Sequence, residues 1–272
     1  IASSSGPVSR GGSNAAFNTR LTHELSMDYT REEIEPIFQD IFAANSFRLD
    51  QEKWWLVYDE SGNAMNWLMD KVEPYGITAV IENNQQDGGT NWWDGGPLKT
   101  LNVSHSFVAE GAQAAGASQQ IVVEALAEEI QKGGGRIFYN TTAVQLDREG
   151  DNTGRVTGCV AKADGKYTRY NASKGVVLAT GDFSQDKDMV AKYCPIALPF
   201  GNGGVYDGSG LKLALWIGAA WQKYTPNAPM LATMGDEVLP CRWWAEGALT
   251  TFPGLLVNNK GVRYSNENCT YG

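Results

Sequence analysis

Lys174-Gly175-Val176-Val177-Leu178-Ala179-Thr180-Gly181-Asp182-Phe183 is the stretch that decides the fold of this 272-residue chain. Four apolar residues in succession, with no polar alternation, predict a strand covered on both faces, as in a parallel sheet. Gly181 predicts a turn at the strand's carboxyl end, where a missing Cβ lets the backbone approach another group closely. Ligands of open α/β sheets bind at that end. Upstream, residues 136–139, 143–148, 156–163 and 166–171 read as the strands of an antiparallel meander. Asp151-Asn152-Thr153-Gly154 and Asp164-Gly165 supply its turn signals.

Further out, the pattern is helical. Residues 186–193 and 210–220 read as helices on the downstream side. Ser118 predicts the start of a helix carrying Ile121, Val122, Ala125, Leu126 and Ile130, which stops at Gly133-Gly134-Gly135. Thr30-Arg31-Glu32-Glu33 is a capping box, in which hydroxyl and carboxylate each satisfy an orphan helix amide. A second helix is expected from Gln51 and a third from Ser61, ended by Pro74-Tyr75-Gly76. Residues 87–97 and 111–116 read as loops, and 255–264 as a hairpin-like unit turning near Asn259 to Gly261. Proline, aromatics and loop texture after Trp221 predict a domain boundary, giving domains 1–222 and 223–272.

Composition narrows the function class. At 42% hydrophobic and 11% aromatic, the chain can build a sizeable core without staples. A net charge of −9 argues against nucleic acid or an anionic membrane as main partner, because both call for a basic face. No apolar run approaches the ~18 residues of a membrane span. Cys159, Cys194, Cys241 and Cys269 are scattered without a CxxC, so no metal site is expected. The chain begins at Ile1 without Met and stops in mid-pattern, which predicts an internal piece of a longer protein. The compartment therefore stays open between cytoplasmic and exported or membrane-peripheral.

Several segments, in order, resemble the FAD-binding fold of the fumarate reductase/succinate dehydrogenase flavoprotein family, which includes flavocytochrome c fumarate reductases, urocanate reductases and 3-ketosteroid dehydrogenases. They are Gly11-Gly12-Ser13-Asn14-Ala15-Ala16, Asn66-Trp67-Leu68, the helix after Ser118, Asn140 to Leu146, Gly154 to Gly158, Val177 to Gly181, Gly210 to Ala214 and Val257 to Glu267. The resemblance implies an α/β fold: a Rossmann-like FAD-binding domain with a β-meander, then the start of an α+β capping domain that closes over substrate. On the same resemblance, the GxGxxG fingerprint is expected before Ile1. FAD is the implied cofactor. Ser5, Gly6, Gly11 and Gly12 would line its pyrophosphate and ring system, which suits small residues with exposed amides. Ala143 would meet the adenine through its backbone, and Thr180 and Gly181 would approach the dinucleotide. Asp182 stands where the family has glycine, and is either a carboxylate beside the cofactor path or a solvated helix cap. Asp207 or Ser209 would take the place of the family's displaced aspartate.

The chain departs from that family where dicarboxylates are bound. Counting on from Asn266-Glu267, the proton-delivering arginine position falls on Tyr271, and no histidine follows His105. Arg242 is the arginine nearest the expected relay and is the candidate substrate contact there. His105 would face flavin or substrate, or else be a satisfied structural histidine. A phenol can move a proton when its neighbours lower its pKa, so Tyr271 is the candidate acid/base. Trp243, Trp244 and Phe252 suit a flat, weakly charged substrate. The resemblance thus implies an FAD-dependent oxidoreductase passing a hydride between flavin N5 and an activated C=C or CH–CH bond. The expected substrate is an enone, an acrylate or a steroid-like molecule rather than fumarate, with an unidentified electron donor or acceptor as partner. The competing expectation, from the lost arginine and histidine, is a non-catalytic flavoprotein-fold binding module.

Overall fold

The computed structural model describes residues 2–8, 14–44, 47–81, 101, 103–109, 117–195, 206–221 and 259–263. Two compact units divide the chain. One comprises Ile1–Ser5 and Phe138–Leu255, and the other Gly6–Ile137 and Leu256–Gly272. They are called the meander unit and the helical unit. The expected boundary at 222–223 lies outside the described residues, as do the loops expected at 87–97 and 111–116.

The helical unit holds β1 (Asn14–Ala15), α1 (Arg20–Glu24), α2 (Arg31–Ala44), α3 (Gln51–Val72), β2 (Thr78–Ile81), β3 (Ser104–Val108) and α4 (Ala117–Lys132). Its three strands run in the order β1-β3-β2, with β3 antiparallel to both neighbours. The capping box is present: Thr30 N donates to Glu33 Oε2 at 2.8 Å and Glu33 N to Thr30 Oγ1 at 3.3 Å. Ile34, Phe38 and Phe42 of α2 are fully buried against Phe17, and Trp54, Trp55 and Tyr58 of α3 close that aromatic core. α4 ends as expected, with Gly134 left-handed at φ 79° and Gly135 N donating to Ile130 O at 2.8 Å.

One helix replaces the two expected between residues 51 and 72. Ser61-Gly62 reads as a break because serine favours caps and glycine disfavours helix interiors. In the structure both residues are a contact point. Ser61 Oγ accepts from Phe17 N at 2.9 Å, and a Cβ on Gly62 would come within 2.5 Å of Phe17 O. The small residue thus lets the chain after β1 lie directly against α3.

The meander unit contains β4 (Thr142–Arg148), β5 (Val156–Ala163) and β6 (Lys166–Asn171), antiparallel and in that order. Asp164 and Gly165 close the β5–β6 hairpin, both with positive φ (48° and 76°), the conformation such two-residue turns need. Between β4 and β5, α5 (Glu149–Asn152) is a single turn with left-handed dihedrals at Gly150 and Asp151. Residues 136–139 do not form the expected first strand. Instead, Ala2 N donates to Phe138 O at 2.8 Å and Asn140 N to Ser4 O at 2.8 Å, so residues 2–4 run beside 138–141. α6 (Lys187–Tyr193) and α7 (Ser209–Trp216) follow in the same unit. α7 stops short of the expected residue 220, and Gly218 follows at φ 88°.

The stretch at 174–183 differs from expectation. It forms no strand, and Val177 is 91% exposed. A parallel strand exists only where neighbours satisfy its amides and carbonyls, and among the described residues no strand pairs with it. Val176 packs with Leu146, Cys159 and Leu213, and Phe183 at the end of the stretch is buried with Met189 and Val190. The mixed α/β character and the meander are as expected; the covered parallel strand is not seen.

Candidate cofactor site

Glycines set the geometry of the site. Gly181 (φ 76°) and Gly208 (φ 68°) both adopt the left-handed conformation that favours glycine. A Cβ on Gly181 would lie 2.5 Å from the Tyr206 ring, one on Gly208 would lie 2.6 Å from Met189 Sδ, and one on Gly210 would overlap Thr180 Oγ1. Gln185 N donates to Tyr206 O at 2.8 Å. The turn at 180–185 is therefore zipped against residues 206–210. That contact brings Thr180, Gly181 and Asp182 alongside Asp207 and Ser209, five of the sequence-predicted cofactor residues. Asp182 Oδ1 accepts from Ser184 N at 2.8 Å and Asp207 Oδ1 from Ser209 N at 2.9 Å. Each aspartate thus braces its own turn. The amide of Ser209 holds the Asp207 carboxyl below its usual range.

Beside this contact lies a cleft of about 660 Å³ between the start of β4 and one face of α7. Ala143, Asp207 and Ser209 line it, joined by Asp186, Lys212 and Trp216, whose place there sequence reading missed. A signal existed: Ser209, Lys212, Leu213 and Trp216 fall at i, i+3, i+4 and i+7, one helical face. Asp186 caps α6 by accepting from Met189 N at 2.9 Å and pairs with Lys212 Nζ, linking α6 to α7. The pairing lowers the Asp186 pKa and raises that of Lys212. α7 packs on the meander through Leu213 and Ile217, and its end is held by Arg148 Nη1 donating to Ile217 O at 2.6 Å.

The other predicted residues are placed as follows. Ser5 is exposed in the meander unit, and Gly6 is half-buried in the helical unit. Gly11, Gly12, Arg242 and Tyr271 lie outside the described residues. His105 sits in β3, fully buried. Its Nδ1 donates to Val103 O at 2.9 Å, and its Nε2 lies 2.9 Å from Thr19 Oγ1. Burial lowers its pKa against the opposing pull of hydrogen bonds to the backbone of Val103 and Asn14. Both ring nitrogens are engaged within the helical unit, so the ring points no free nitrogen at a ligand.

The residues lining the cleft are compatible in kind with a cofactor that carries hydroxyl groups. Its small-residue turns let backbone come close, and its carboxylates can accept from ribose hydroxyls.

The chain is 27% identical over 238 residues to a vinyl phenol reductase of Lactiplantibacillus plantarum, covering 84% of this chain and 43% of that protein. It is 24% identical over 266 residues to a fumarate reductase (cytochrome) of Shewanella frigidimarina, covering 96% of this chain and 41% of the relative. The chain thus spans less than half the length of the curated relatives it matches.

Among solved structures, the fold is similar to a 3-ketosteroid-Δ4-(5α)-dehydrogenase from Rhodococcus jostii RHA1. The TM-score is 0.57 at 24% identity, over 80% of this chain and 48% of that one. It is also similar to the open conformation of a flavocytochrome c3 fumarate reductase, with a TM-score of 0.55 at 22% identity, over 78% and 34%. The family model described as an FAD binding domain matches residues 3–272, so the chain belongs to the FAD-binding domain family and its cofactor is FAD.

Proposed function

We propose that the protein is an FAD-dependent oxidoreductase acting on an activated C=C or CH–CH bond of a small organic substrate, an enone, acrylate or steroid-like molecule rather than fumarate. The observation that carries the cofactor half of this reading is the zipped contact of 180–183 with 206–210 beside Ala143. Bound FAD would supply the hydride chemistry, and this chain's residues would bind, orient and move the proton. Ala143, Thr180, Gly181, Asp207 and Ser209 would hold the cofactor, with Ser5, Gly6, Gly11 and Gly12 as further contacts and Asp182 bracing the turn.

The preference for a weakly charged substrate rests on sequence. The chain has two histidines, His23 and His105, and carries Tyr271 where the family's arginine would stand. Tyr271 would donate a proton to the carbon next to the one that receives hydride. Arg242 would be the charged substrate contact, and residues 223–272 would begin a capping domain that shields the reaction from water. One relative is a vinyl phenol reductase, and a vinyl phenol carries an aryl-conjugated C=C bond.

The test is a reoxidation panel. The full-length protein is reduced anaerobically and mixed with enones, aryl-acrylates, a steroid enone and fumarate. Turnover of a neutral or aryl substrate with fumarate inert supports the proposal, whereas fumarate as the preferred acceptor overturns the substrate class. The lost arginine and histidine favour one rival, a binding module, which predicts tight FAD binding with no acceptor turned over.

A further inference from the structure

We propose that Trp216 is an adenine-stacking residue at the rim of the cleft between β4 and α7, fixing the adenosine end of the cofactor. The inference rests on the FAD reading above, in which Ala143 of this cleft meets the adenine, and adds the side chain that grips the base.

Trp216 is 67% exposed, which is unusual for so large an apolar surface. It lines the cleft on the same face of α7 as Ser209 and Lys212. Its backbone is pinned: Asn152 Nδ2 donates to Trp216 O at 3.4 Å, and Arg148 holds the next carbonyl. Among the described residues no aromatic ring stacks on the indole, unlike Trp221, which lies 4.0 Å from Tyr193 at 15°. A flat, positioned, uncovered ring beside a cleft is a platform for another flat ring.

The charges choose the end of the ligand. Two carboxylates, Asp186 and Asp207, face one ammonium, Lys212, and Asp186 is committed to that lysine. Asp207 accepts from the amide and the side chain of Ser209, and a carboxylate has further lone pairs with which to accept from a ligand. Such a surface seeks donors. Adenosine presents an exocyclic amine and ribose hydroxyls, whereas the carbonyl-rich edge of isoalloxazine seeks donors itself and phosphate would be repelled.

The experiment uses the full-length protein, its W216A and W216F variants, and three probes: FAD, ADP and FMN. Binding is measured by calorimetry and by tryptophan emission. Loss of a stacked base contact should weaken ADP and FAD binding in W216A about tenfold or more, while FMN binding is unchanged. ADP should quench an emission component in the wild type that W216F lacks, and W216F, which keeps a ring, should bind within about threefold of wild type. W216A binding ADP as the wild type does, or the same quenching in W216F, overturns the stacking role and leaves the FAD reading intact. A wild-type protein that takes up no FAD overturns both.

Discussion

Thr180 and Gly210 pack so closely that no side chain fits at residue 210: a Cβ there would overlap the Thr180 hydroxyl. The contact joins the turn after the apolar run to the first turn of α7, and with it the two halves of the candidate cofactor site. Adding one methyl is therefore a test of the site as well as of the packing.

Gly210→Ala should destabilise the protein by about 1–3 kcal/mol, the usual cost of overpacking, and lower its FAD content. Thr180→Ala in the same chain removes Oγ1 and Cγ2 but leaves Cβ, so it should restore part of the stability. Thermal unfolding and flavin-to-protein ratio read the two effects. Additive losses in the double variant would show that the residues do not meet as described.

Gly62→Ala separates intrinsic propensity from packing. On propensity alone, alanine within a helix gains about 1 kcal/mol over glycine. The close approach of Phe17 O and Asn18 O to the new Cβ predicts the opposite sign, a loss of about 1–3 kcal/mol. A rise in Tm would contradict the close contact of α3 with the chain after β1.

These two glycines also show what the sequence could and could not convey. The capping box at Thr30, the glycine stop of α4 and the Asp164-Gly165 hairpin depend on neighbours in sequence, and each appears where its residues predict. Gly62 and the run at Val176–Ala179 depend on what lies across from them. Gly62 reads as a breaker until Phe17 is placed against it. Four apolar residues read as a buried strand only if flanking strands are supplied; among the described residues none pairs with this run, and Val177 is exposed. At the cleft, Asp207 and Ser209 are singled out in the sequence by their resemblance to a family Gly-Asp-Gly turn, and both lie in its lining. Lys212 and Trp216 were hidden inside an apolar helix whose cleft-facing side only the fold defines.

His105 gives a pH signature. Burial sets its folded pKa below the ordinary value of about 6.5. Between the two values the unfolded chain binds more protons, so stability rises with pH there. The full contribution is present above about pH 6.5 and is lost as the pH falls towards the folded value. Tm measured from pH 7.5 to 5.5 should fall less steeply in His105→Gln, which cannot take the proton, than in the wild type. Equal slopes would show that His105 is not held neutral.

Tyr271→Phe probes the proposed acid. If Tyr271 delivers the proton, the variant should keep its FAD and lose roughly 10²–10⁴-fold in kcat, as expected when a positioned general acid is removed. Unchanged turnover would assign the proton to another group. Loss of flavin would point to a structural role.

The most direct test of the account is the absorbance spectrum of the purified full-length protein, followed after anaerobic reduction and addition of an aryl-conjugated alkene. The account predicts a yellow protein with one FAD per chain, bleached on reduction and restored by the alkene. A colourless protein that takes up no added FAD would contradict it.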